Sequence, residues 1–196
     1  MSDAGDLAAI LASARACQVC AAHLPLGPRP IVRAGVTARL LIIGQAPGTR
    51  VHETGIPWND RSGDRLRAWL AVDKDTFYDE RCIAIVPMGF CYPGRDARGG
   101  DKPPRPECAP LWHPPVRAAL PRVGLTLLVG QYAQGHYLGP RRQASLTETV
   151  RAWAGYGPEV LPLPHPSWRN TAWLKKNPWF EAELLPELRT RVRRLL

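Results

Sequence analysis

The run Arg39-Leu-Leu-Ile-Ile-Gly44 constrains this chain more than any other segment. It is apolar at successive positions, so both of its faces need covering, and it stops at a glycine. That pattern reads as a strand buried on both sides, the kind found inside a parallel sheet. Three more runs qualify as strands: Cys82-Ile-Ala-Ile-Val86, Leu125-Thr-Leu-Leu-Val129 and the short Val160-Leu-Pro-Leu163. Pro162 assigns the last to an irregular or edge position. Helical spacing lies around and between them. Leu7, Ile10 and Leu11 predict a helix over 6–16, and Leu66, Trp69 and Leu70 predict one over Ser62–Ala71 with Ser62 as N-cap. A helix over 109–120 is weakened by Pro114-Pro115. Phe180, Leu184, Leu188 and Val192 predict a C-terminal amphipathic helix, kinked near Pro186. Strands alternating with helices imply a three-layer α/β/α sandwich around a central, mainly parallel four-stranded sheet. With no internal repeat or linker, residues 1–196 read as a single domain.

Charge narrows the partners. Lys and Arg total 26 against 17 Asp and Glu, a net charge of +9, which suits an acidic partner such as nucleic acid without requiring one. Seven Trp and 45% hydrophobic residues exclude a disordered chain. No apolar run approaches roughly 18 residues, so no membrane span is expected. Met1–Asp6 lacks the basic start and apolar stretch of a signal peptide, which makes a cytoplasmic location the default. In that reducing compartment five cysteines do not suggest a disulfide framework. Cys17 and Cys20 form a C-x2-C pair, while Cys91 and Cys108 flank sixteen residues of a long Gly/Pro/Arg loop. Four thiolates satisfy either zinc or a [4Fe–4S] cluster, and spacing leaves the choice open. Either would tie the long loop to the N-terminal region. Cys82, inside a strand, is expected to be a core thiol.

In such folds ligands sit beyond the carboxyl ends of the strands, so the loops there matter most. Gly44-Gln-Ala-Pro-Gly48 has neither the P-loop nor the dinucleotide spacing, yet it can bring backbone N–H groups close to a ligand. In Pro164-His165-Pro-Ser-Trp-Arg-Asn170 the prolines stiffen the backbone around His165 and fix its ring for acid–base or electrophilic work. Ser167, Arg169 and Asn170 offer donors suited to phosphate oxygens. Trp58 either joins the core or stacks on a base. His52 and Glu53, in the same loop region, are candidates to act on water. Trp168, Trp173, Lys175, Lys176 and Trp179 interleave aromatic and basic residues. They form either a DNA-gripping surface or ordinary packing beside a solvated lysine pair.

Taken in order, Cys17-x2-Cys20, Gly44-Gln-Ala-Pro-Gly48, Gly55-Ile-Pro-Trp58, Cys91/Cys108 and His165-Pro-Ser167 resemble the uracil-DNA glycosylase superfamily. The resemblance is greatest to its [4Fe–4S]-containing branch, while His165-Pro-Ser-Trp-Arg-Asn170 is also similar to the second motif of single-strand-selective uracil glycosylases. The resemblance implies a monofunctional DNA glycosylase, a hydrolase of base-excision repair that flips uracil or a related base out of DNA and cleaves its glycosidic bond. It implies that His165 donates to the pyrimidine O2, with Gln45, His52 and Glu53 as further catalytic candidates. Gly44, Gln45, Ala46, Trp58 and Pro87 would line the base site. Pro47, Gly48, Ser167, Arg169, Asn170, Lys175 and Lys176 would hold DNA. Cys17, Cys20, Cys91 and Cys108 would carry a structural [4Fe–4S] cluster, with Zn as the alternative, in a monomer. Three positions depart from the family pattern. Gln45 replaces a Glu, Ala46 stands where the most active branch has a water-activating Asp, and Pro87 falls where an Asn usually reads the uracil edge. The alternative function is a DNA-lesion binding module with little turnover.

Overall fold

The computed structural model describes residues 6–97 and 99–196. Four strands, β1 (Leu40–Ile43), β2 (Ile83–Ile85), β3 (Leu125–Val129) and β4 (Val160–Leu163), form one sheet in the order β2-β1-β3-β4. Every pairing is parallel: Leu40 aligns with Ile83 on one side and Leu125 on the other, and Val129 aligns with Leu163. The apolar runs therefore fill the sheet as expected, and Pro162 does lie in an edge strand, β4.

Successive side chains of a strand point to opposite faces, which divides the core in two. Leu41 and Ile43 pack with α1 (Leu7–Arg15), α5 (Cys108–Ala118) and α6 (Gln131–Leu138). Leu40 and Ile42 pack with α3 (Arg61–Leu70), α4 (Lys74–Tyr78), α7 (Leu146–Arg151) and α9 (Leu185–Leu195). The result is the three-layer α/β/α sandwich. Two short helices, α2 (Thr49–Thr54) and α8 (Thr171–Lys176), carry loops at the sheet's carboxyl edge. Among the described residues, no helix is long and apolar enough to cross a membrane.

Local details correct the sequence reading. The N-cap of α3 is Asp60, not Ser62: its Oδ1 accepts from the Gly63 N–H at 2.8 Å. Carboxylate and hydroxyl caps are equivalent signals two residues apart, so the sequence alone favoured neither decisively. Helix α5 tolerates Pro114 and Pro115. The donors they lack would have served the carbonyls of Pro110 and Leu111, both exposed to water. Its inner face, Ala109, His113 and Val116, is buried. The expected irregularity near Pro186 is a π turn, Phe180–Leu184, running directly into α9. Pro186 cannot donate to residue 182, which fits a register change there. Cys82 lies just before β2, half-buried and packed against the core.

The chain visits β2 on one side of β1 and then crosses to β3 on the other. This reversal opens a crevice beyond the carboxyl ends of the strands.

Candidate active site and thiol pocket

A cleft of about 370 Å³ occupies that crevice. Its walls come from the turn after β1 (Gly44–Gly48), from Pro87 after β2, from Trp58 and Asp60 before α3, and from His165 and Ser167 after β4. These four stretches are separate in sequence, and the sheet brings them together. The volume falls in the range of small-molecule sites.

Trp58 is fixed in the cleft by unusual backbone. Its φ is +57°, in the left-handed region that a bulky residue rarely adopts. The surroundings hold it there: Arg67 Nη1 donates to the Trp58 carbonyl at 3.3 Å, and the Tyr78 hydroxyl donates to the Pro57 carbonyl at 2.9 Å. Two glycines make room. A Cβ on Gly44 would lie 2.8 Å from Trp58 Cζ2, and one on Gly63 would lie 1.7 Å from the Trp58 carbonyl oxygen. Only glycine fits at either position.

His165 lies beside the indole, with ring centroids 5.5 Å apart. The Ser167 N–H donates to its Nδ1 at 3.2 Å. A nitrogen that accepts carries no proton, so the neutral ring keeps its hydrogen on Nε2. Burial pushes the His165 pKa down to about 4, with the nearby Asp60 charge opposing that shift. The ring is therefore neutral at physiological pH. Asn170 Nδ2 donates to the His165 carbonyl at 2.7 Å, and Arg65 Nη1 donates to the Ser167 carbonyl at 3.1 Å. Asn170 thus braces the loop from within.

Gln45 lines the cleft, and its Nε2 donates to the Lys102 carbonyl at 3.1 Å. That bond anchors a loop which the sequence did not assign to the site. Arg95 pairs with Asp101 in an antiparallel bridge, and Arg169 Nη2 donates to the Gly99 carbonyl at 3.0 Å. The loop brings Asp101 into the cleft, its Oδ2 3.5 Å from where a Gly48 Cβ would stand. Partial burial raises the Asp101 pKa, and Arg95 and Arg169 pull against that shift. Asp101 and Asp60 are the cleft's carboxylates among the described residues. Sequence spacing gave no signal for Asp101, which arrives through a fold in a long loop.

His52 and Glu53, by contrast, sit on α2 and do not line the cleft. Arg29 Nη1 donates to the carbonyls of both, holding α2 from the outside. His52 packs against Tyr92, with centroids 5.9 Å apart. Expecting them to act on water took nearness in sequence for nearness in space. Ala46, Pro47, Gly48, Ser167 and Arg169 all line the cleft. Lys175 and Lys176 are exposed on α8, outside it. Trp173 and Trp179 pack edge-on against Phe180 in the core, whereas Trp168 stands 69% exposed at the cleft rim.

Cys17, Cys20, Cys91 and Cys108 all line a second pocket, shared with Phe90, Leu111 and Trp112. The Phe90 N–H points at Cys108 Sγ, 3.3 Å away. Burial drives the Cys108 thiol up to about 12, and neighbouring thiolates add to the shift. Burial also raises Cys91. Among the described residues, no three His, Cys, Asp or Glu side chains close around the position of one metal ion. The four thiols nevertheless line one pocket. Their number and common pocket fit a four-thiolate group.

A sequence profile of the Uracil DNA glycosylase superfamily matches residues 33–189. The match takes in all four strands and the cleft segments from Gly44 to His165. The chain belongs to the uracil-DNA glycosylase superfamily.

Proposed function

We propose that this protein is a monofunctional DNA glycosylase that holds a uracil, or a related deaminated or modified base, extruded from DNA and releases it by hydrolysis. One observation carries the reading: a neutral His165 with its proton on Nε2, beside the Trp58 ring in a cleft at the sheet's switch point. When the C1′–N1 bond breaks, its electron pair moves onto the base. A preplaced Nε2–H stabilises the charge growing on O2 and costs no reorganisation. The indole of Trp58 offers a flat face for the extruded base. Water adds to C1′ and gives up a proton, for which Asp101 is the carboxylate at hand. Burial raises its pKa, which makes its carboxylate a stronger base than that of an ordinary exposed Asp. Among the described residues no lysine lines the cleft, which favours hydrolysis over Schiff-base chemistry.

Arg50, Arg61, Arg95 and Arg169 around the cleft suit a phosphate backbone, and the exposed Trp168 suits the gap left by an extruded base. Cys17, Cys20, Cys91 and Cys108 would hold a [4Fe–4S] cluster, with zinc as the alternative. Its contribution would be structural, fastening the long loop to the N-terminal segment.

The test is base release from labelled oligonucleotides, single- and double-stranded, carrying uracil, hypoxanthine, xanthine or modified pyrimidines. Release is expected, and His165→Ala should lower it by about 10²- to 10³-fold with an unchanged melting temperature. Ala46 leaves the first turn without a carboxylate and favours the second reading, a lesion-binding module. Selective binding without release from any substrate would establish that reading instead.

A further inference from the structure

The segment that brings Asp101 into the cleft is a ribbon braced from within. Arg95 and Asp101 pair as an antiparallel bridge, the Lys102 N–H donates to the Gly94 carbonyl at 2.9 Å, and the Asp96 N–H donates to the Gly100 carbonyl at 2.8 Å. These bonds join one arm of the ribbon to the other. They keep its shape but do not fix its place against the cleft. Pro103 and Pro104 follow, and neither has an N–H. The peptide between Lys102 and Pro103 can therefore be held only by its oxygen, the Lys102 carbonyl. Gln45 Nε2 donates to that carbonyl at 3.1 Å. Gln45 is itself anchored, because its own carbonyl accepts from the Gly89 N–H at 3.0 Å, beyond the end of β2. Further along the same turn, Asp101 Oδ2 stands 3.5 Å from where a Gly48 Cβ would lie. The turn after β1 thus meets the ribbon both at Asp101 and at its neighbour Lys102. At the ribbon's tip, the Gly99 carbonyl accepts from Arg169 Nη2 at 3.0 Å. That guanidinium belongs to an exposed residue, and an anionic phosphate oxygen binds it more strongly than a neutral carbonyl does.

We propose that Gln45 is a positioning residue: its side-chain amide holds Asp101 in the cleft, and goes on holding it when the DNA backbone draws Arg169 away from Gly99. This rests on reading Asp101 as the base of a glycosylase. The role requires an amide. An ionised carboxylate at position 45 has no proton for the Lys102 carbonyl, and the two oxygens would repel. It would also bring another negative charge toward Asp101, which already feels Asp60 and Asp96. Gln45 therefore acts on the bond-breaking step through Asp101, without touching the base or the water.

The experiment is a double-mutant cycle. Uracil release from a labelled single-stranded oligonucleotide is followed under single-turnover conditions with saturating protein. Affinity is measured on the same strand carrying 2′-fluoro-deoxyuridine, whose glycosidic bond resists cleavage. Gln45→Met should lower the release rate constant about tenfold, as Asp101→Asn does, and change affinity by less than about twofold. Gln45→Glu should fall at least as far. Added to Asp101→Asn, Gln45→Met should cost less than about twofold more, since no carboxylate is left to place. General damage to the cleft would slow both backgrounds alike. The proposal is overturned by a wild-type rate in Gln45→Glu, or by equal losses in the two backgrounds. A second readout needs no turnover. The isotope-labelled carboxyl carbon of Asp101, assigned by its loss in Asp101→Asn, is titrated by NMR in the complex with the fluorinated strand. Burial raises the Asp101 pKa, against the pull of Arg95 and Arg169. Gln45→Met should bring the titration down toward that of an exposed Asp, and an unchanged titration overturns the proposal. Absence of uracil release by wild type would sink the glycosylase reading, while the titration still decides whether Gln45 holds Asp101.

Discussion

Around the cleft, the key groups are held by backbone that the sheet supplies; around the four cysteines, side chains from separate segments meet in an apolar pocket. His165 is tethered through Ser167 and Asn170, and Trp58 through Arg67, Gly44 and Gly63. These groups are in place before any ligand arrives. The thiols are the reverse case: burial opposes the ionised form of Cys91 and Cys108. One site is preorganised by the fold; the other, on the proposed reading, would be completed by the group its thiols hold.

Four measurements would break or sharpen that contrast. The largest effect belongs to Gly63→Ala, whose Cβ has no room beside the Trp58 carbonyl. Base release should fall about 10²-fold with the metal content unchanged. Wild-type release would show that the cleft adapts and is not preorganised. Cys108→Ser should remove the iron or zinc found by elemental analysis and lower the melting temperature by about 10 °C. Release should then fall only as the folded fraction falls. Loss of release in a fully folded, metal-free protein would tie the two regions together more closely than the contrast allows. Asp101→Asn should slow release about tenfold. Because its folded pKa is raised, the carboxylate is present above that pKa and lost as pH falls through it. Wild-type activity should therefore decline on the acid side, and the variant's should not. Since burial disfavours the charged Asp101, the amide should not lower stability at neutral pH. Smallest are Lys175→Gln and Lys176→Gln on the exposed face of α8. Each should reduce the slope of log affinity against log salt by about 1 and leave turnover on saturating DNA unchanged.

The contrast also explains what the sequence disclosed. Strands β3 and β4 coincide with their apolar runs, because residues buried on both faces leave a continuous signal. Gly44 and His165 were legible because glycine and proline around a strand end report on backbone, and the backbone builds this cleft. Asp101 was not legible. It reaches the cleft through the Gln45–Lys102 and Arg169–Gly99 bonds, which leave no periodicity or spacing behind. His52 and Glu53 failed for the complementary reason. Helix α2 turns them away from the cleft, a matter of a few residues' rotation that loop composition does not encode. His113 carried no signal in the sequence. Its bond to the Pro87 carbonyl appears only when α5 is docked against the end of β2.

The loop between Cys91 and Cys108 has a consequence for engineering. Its ends belong to the thiol pocket, and its middle touches the cleft at Gly99–Asp101. A segment clamped at both ends and pinned at two interior carbonyls behaves as an exchangeable cassette. Its exposed positions can be rewritten without disturbing the sheet, provided the buried Tyr92–Gly94 turn and Asp101 are kept. New substrate preferences should be reachable by exchanging this cassette alone, while the histidine and tryptophan that do the common work stay where the sheet holds them.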